Sequence, residues 1–110
     1  MMSLDELVAA IAALQRSDLE AWIERQFVLP REEGGALLFS DQDCARVRLI
    51  CTLHYDLEIE ADTLPVVMSL VDQLYDTRHR LLSLTAAVTT QDKDVQAAIM
   101  AALGEGTDRP

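Results

Sequence analysis

Cys44, Cys51 and His54 come nearest, in this chain of 110 residues, to a reactive or metal-binding constellation. Thiolate and imidazole are the ligands that soft transition metals select. The three recur at helical steps and so share one stripe, but ligands strung along a single helix face do not converge on one ion. No Cys-x-x-Cys or His-x-x-x-His pair supports them. The two cysteines lie seven residues apart, about 10 Å along a helix axis, so they cannot bridge to each other. His54 and His79 are too distant in sequence to be read as a pair, and no serine or cysteine stands in a motif that marks an activated nucleophile. Gly34 and Gly35 lack the Lys-Ser/Thr or Gly-x-x-Gly continuation of a phosphate loop. The residues point to no enzyme, no metal and no cofactor.

The element that must carry these side chains is Leu38–Leu57, read as the end of a strand followed by one capped helix. Ser40 is a suitable N-cap with Asp43 at N3, which approximates a capping box and places negative charge where the helix dipole favours it. Cys44, Val47, Ile50, Cys51, His54 and Leu57 form its mostly apolar stripe, and Arg46, Arg48, Thr52 and Asp56 fall outside it.

Bulk composition narrows the classes further. Half the residues are apolar and a quarter charged, which suits one compact domain with a modest core. Two cysteines within one helix fit a reducing compartment. No apolar run approaches the ~20 residues of a membrane span, and Asp5 and Glu6 stand where a secretion signal would be basic. The expectation is a soluble, cytoplasmic protein without a membrane partner. Nineteen acids against nine bases give a net charge of −10. That balance opposes binding to nucleic-acid phosphates and favours a basic protein surface.

In chain order, Ser3–Glu6 is a capping box that opens a short helix over Leu4, Leu7, Val8, Ile11 and Leu14. Gln15 and Arg16 form a break, and Ser17–Glu20 reads as a second capping box opening a helix that buries Leu19, Trp22 and Ile23. The pair is a helix-turn-helix unit. Phe27–Leu29, Arg31–Gly35 and Ala36–Phe39 then read as strand, turn and strand, a small hairpin or wing with the two glycines in its turn. Asp56, Glu58, Glu60 and Asp62 alternate with Leu57, Ile59 and Ala61 in a strongly negative connection.

Asp62 or Thr63 caps a long helix that tolerates Pro65 in its first turn and runs to about Val88. Its heptad-like seam is Val67, Leu70, Leu74, Thr77, Leu81, Leu84 and Val88, beside a second stripe of Leu64, Met68, Val71 and Tyr75 that decays at Arg78. The second half of the seam, at Leu74, Leu81, Leu84 and Val88, is the expected homodimer interface. A short alanine-rich helix carries Val95, Ala98, Ile99, Ala102 and Leu103 and ends at Gly104, and the tail from Glu105 to Pro110 is expected to be mobile. The division expected is residues 1–62, the helix 63–88, the accessory helix 89–104 and the tail 105–110.

Residues Leu4 to Leu84 resemble the MerR-type winged-helix family, and within it the chaperone-modulator branch known as CbpM. The most specific stretches are Phe27–Arg31, Leu38–Asp41, Leu53–Leu57, Val66–Val67 and Leu70–Leu74. The resemblance implies a mainly α fold, a winged helix-turn-helix with a small β-hairpin wing and a long C-terminal dimerisation helix. Departures separate the branches. Where DNA-binding members have Leu-Arg-Tyr-Tyr-Glu, this chain has Leu19-Glu20-Ala21-Trp22-Ile23, and in the wing Leu37 stands where an arginine is expected. Asp18, Glu20 and Glu24 against Arg25 leave the recognition helix negative, which makes DNA a poor partner.

What the resemblance then implies is binding to the J-domain of a DnaJ-like co-chaperone, CbpA, which blocks access of the chaperone DnaK. By local charge density, Asp56, Glu58, Glu60, Asp62, Asp72 and Asp76 are the candidate contacts. The competing readings are a transcription regulator that binds DNA or a small effector, and a structural dimerisation module.

Overall fold

The computed structural model describes the backbone of residues 1–107 and the side chains of residues 1–104. The chain is mainly helical with one small sheet, in the order β1 (Met2–Ser3), α1 (Leu4–Ala10), α2 (Arg16–Glu24), β2 (Arg31–Glu33), β3 (Ala36–Phe39), α3 (Asp41–Cys51), a π-helical turn (Thr52–Asp56), α4 (Leu64–Thr89) and α5 (Lys93–Thr107). Two compact units divide it, Met1–Ser69 and the residues from Leu70 on.

Local signals set most of the first unit. Ser3 and Glu6 form the capping box of α1, and Ser40 and Asp43 that of α3, each with both reciprocal bonds in place. Such a pair satisfies two backbone donors that the first turn would otherwise leave open. Gly34 and Gly35 adopt φ of 57° and 80° between the paired residues Glu33 and Ala36. Two successive positive φ values are what a two-residue hairpin turn of matching twist demands. The sheet is antiparallel in the order β1-β3-β2. β2 lies at its edge with Arg31, Glu32 and Glu33 all exposed, and such charges discourage further strand pairing.

Several expectations are corrected. The first strand of the hairpin is Arg31–Glu33, not Phe27–Leu29. The cause lies at the end of α2, where Gln26 turns left-handed at φ 64°. The Phe27 amide donates to the Trp22 carbonyl at 2.9 Å and the Gln26 amide to that of Ile23 at 3.0 Å. These are the two bonds of a Schellman closure, and they turn Phe27 and Val28 into the core as buried residues rather than a strand. Met2–Ser3 forms a strand that the sequence did not suggest, pairing Met2 with Phe39 and Ser3 with Leu38.

The second capping box is absent. α2 begins at Arg16 with Gln15 as its N-cap and no side-chain cap bond, because Ser17, the expected N-cap, falls inside the helix. The α-helical winding of α3 stops at Cys51, short of Leu57. α5 runs through Gly104 to Thr107, since Gly104 is not among the glycines of positive φ and so does not cap it. Residues 105–107 therefore continue a helix rather than begin a tail, and residues 108–110 lie outside the described residues.

The core gathers every element of the first unit except the edge strand. Leu7, Leu19, Val28, Phe39, Val47, Ile50 and Leu64 are fully buried, joined by Trp22 and Met68. Leu64 and Met68 belong to the second stripe of α4, so the first turns of that helix close this core. Among the described residues, no helix is long and apolar enough to cross a membrane.

Candidate functional site

The acidic connection Asp56–Asp62 is exposed at Asp56, Glu58, Glu60 and Asp62, yet its backbone is tied down. Its conformation begins in the π-helical turn, where the Leu57 amide donates to the Thr52 carbonyl at 3.0 Å. A π turn advances fewer degrees per residue than an α turn. The slower winding brings Tyr55 toward the core and sends Leu57 outward, to 62% exposure. Glu58 then takes φ 56° and reverses the chain.

Three long-range or closing bonds hold the segment that follows. The Ile59 amide donates to the Leu53 carbonyl at 2.9 Å. His54 donates its Nδ1–H to the Ile59 carbonyl at 2.8 Å, and because a carbonyl only accepts, that bond fixes where the imidazole proton sits. Arg25 reaches from the end of α2 to the Ala61 carbonyl at 3.2 Å while its guanidinium lies 4.9 Å above the Phe27 ring, a cation–π contact. Among the described residues, none of Asp56, Glu58, Glu60 and Asp62 pairs with a cation.

Behind the loop stands an aromatic cluster. The Trp22 and His54 rings meet edge to face at 6.1 Å, His54 and Tyr55 lie 5.2 Å apart, and Trp22 and Tyr55 6.1 Å. Tyr55 donates its hydroxyl to Asp18 and accepts the Gln15 amide at 3.2 Å. Burial first, and then the bond to Asp18, push the Tyr55 phenol up to about 12. The cluster therefore stays neutral at its tyrosine and braces α2 against the acidic loop. Sequence reading placed Trp22 in the core and missed Tyr55, because α-helical winding puts Tyr55 off the apolar stripe.

Cys44 and Cys51 belong to the core of the first unit. Both are free and buried. Burial pushes the Cys51 thiol up to about 11 against the opposing pull of Arg48, and raises Cys44, with Asp41 and Asp43 adding to the effect. A protonated thiol is a poor nucleophile and a poor ligand. Cys51 lies at an open cleft of about 210 Å³ lined by Ile11, Ala13, Arg48, Thr52 and Asp56. A second cleft of about 270 Å³ is lined by Ser3, Leu4, Asp5, Arg16, Ala36 and Leu37. His54 lines neither cleft.

Asp72 and Asp76 belong to the unit that begins at Leu70. Asp76 meets Arg80 at 3.4 Å, both side chains largely exposed, a surface pair of small energetic weight. In the same unit the apolar seam is uncovered. Leu74 is 68% exposed, Leu81 60% and Leu84 62%, while Val88 is half-buried. No protein-family model, no curated protein and no solved structure matches the chain.

Proposed function

We propose that this chain is a non-catalytic, protein-binding modulator: it docks on the J-domain of a DnaJ-like co-chaperone, blocks access of DnaK, and acts as a dimer through α4. α1 and α2 are read as its helix-turn-helix and β2–β3 as its wing. The observation that carries the reading is the acidic loop, whose four carboxylates stand unpaired in water on a backbone held by His54, Leu53 and Arg25. Like charges crowded on a fixed backbone repel one another, and a basic helix laid against them offsets that repulsion. Little ordering of the loop remains to oppose binding. The resemblance to CbpM-type modulators supplies the partner class. Exposed Glu20 on α2 weighs against DNA, because it repels the phosphates that a recognition helix must approach.

The test is J-domain-stimulated ATPase activity of DnaK, titrated with the full chain at several salt concentrations. Inhibition that weakens with salt is expected, and Glu58→Lys with Glu60→Lys should reduce the association rate severalfold while leaving thermal stability nearly unchanged. Unaltered binding kinetics in that double variant sink the acidic loop as the contact. Salt-dependent, sequence-specific duplex binding at roughly 10 nM or tighter, without any effect on the ATPase, would favour the transcription regulator instead.

A further inference from the structure

We propose that α5 is a self-association element, packed against a second copy of this chain and held helical by that contact. The inference rests on the dimer reading above and extends it past Leu84, where the family resemblance stops. Its starting point is that no residue from Leu70 to Gly104 is buried. α5 has 15 residues, and isolated helices of about that length are marginal in water, since most helical stability in proteins comes from packing an apolar face.

The start of α5 is nonetheless anchored. Gln96 donates its side-chain amide to the carbonyls of Gln91 at 2.8 Å and Thr89 at 3.3 Å, and its backbone amide to Asp92 at 3.0 Å. Thr89 and Thr90 hydroxyls donate back to Ala86 and Ala87 at 2.7 Å each. These bonds define the turn between α4 and α5 but remove no apolar surface from water. Val95, Ile99, Ala102 and Leu103 share one face at steps of three and four, and Leu103 is 57% exposed.

Charge selects the occupant. Residues 70–110 hold six acids (Asp72, Asp76, Asp92, Asp94, Glu105, Asp108) and four bases (Arg78, Arg80, Lys93, Arg109), whereas residues 1–69 hold thirteen acids and five bases. Two copies meeting through the first unit repel; two meeting through the nearly neutral second unit do not. A basic partner is drawn to the first unit, and an acidic one finds almost no net charge on the second. A nearly neutral face of alanine, valine, isoleucine and leucine is complementary to itself.

Sedimentation and amide hydrogen exchange of the full chain across a concentration series test this, beside the variant Val95→Glu with Leu103→Glu. Wild-type α5 amides should gain protection as dimer forms. The variant should dimerise at least about tenfold more weakly and exchange fast in α5 at every concentration, with the near-ultraviolet signal of buried Trp22 unchanged as the sign that the first unit is folded. A wild-type dimer whose α5 exchange ignores concentration overturns the proposal and leaves the α4 dimer and J-domain binding standing. Protection that appears only on adding a J-domain overturns it too and assigns α5 to the co-chaperone. A wild type that stays monomeric at high micromolar concentration removes both the dimer and the α5 contact, while the ATPase test of J-domain binding is untouched.

Discussion

Tyr55 ties the π-helical turn to the start of α2 through a single atom. Its O–H donates to the Asp18 carboxylate and its oxygen accepts the Gln15 amide, both partners on or beside α2. Tyr55→Phe should cost about 1.5–3 kcal/mol, the usual range for a bond to a charged group, measured as a lower urea midpoint with unchanged slope. The titration of this group adds a pH signature. Native Tyr55 keeps its proton to about 12 against an ordinary 10.0, and Cys51 to about 11 against 9.0. The native state thus holds protons that the unfolded chain has released, so these contributions are complete below about pH 9 and fall as pH rises toward 12. The Phe variant should lose the part of that decline between about pH 10 and 12 and keep the cysteine part between about 9 and 11. A Phe variant with the wild-type slope above pH 10 shows that the phenol does not carry it.

At the scale of elements, the closure of α2 does more than end a helix. A Schellman motif usually places glycine at its left-handed position; here Gln26 occupies it. A side chain in that conformation costs about 1–2 kcal/mol, part of which glycine's greater freedom in the unfolded chain takes back. Gln26→Gly should therefore stabilise the protein by roughly 0.5–1 kcal/mol, read as a raised thermal midpoint. Destabilisation would mean that the glutamine side chain contributes a contact worth more than the backbone strain. The π-helical turn is the second deciding element. It rotates Tyr55 toward Trp22 and expels Leu57, and both the brace behind the acidic loop and the loop's starting direction follow from that change of winding.

At the scale of the whole molecule, charge and apolar surface are segregated along the chain. Thirteen of the nineteen acids lie in the first unit, and the uncovered seam of Leu74, Leu81 and Leu84 lies in the second. Such a division suits a protein that meets a basic partner with one part and its own copy with the other. Leu81→Glu with Leu84→Glu should convert a dimer into a folded monomer, because both side chains are exposed and outside the core of the first unit. The measurement is sedimentation together with thermal unfolding. A variant that remains dimeric moves the interface elsewhere on the chain.

What the sequence by itself determined is what short-range chemistry controls. The capping boxes at Ser3 and Ser40 depend on residues three apart, the turn at Gly34 and Gly35 on adjacent φ values, and the extent of α4 on a continuous periodic pattern with Pro65 in its first turn. The exposure of the acidic run followed from its alternation, and the burial of Cys44, Val47, Ile50 and Cys51 from helical spacing. The tertiary structure alone decided the rest. Met2–Ser3 is too short to carry a strand pattern and pairs because β3 offers an open edge. Phe27 and Val28 have strand-like composition but enter the core because the closure at Gln26 redirects them. The Tyr55–Asp18 bond spans 37 residues, and the π turn that enables it leaves no mark in an apolar pattern scaled to α-helices. Gly104 continues α5 because a glycine stops a helix by adopting a left-handed conformation, and Gly104 does not adopt one.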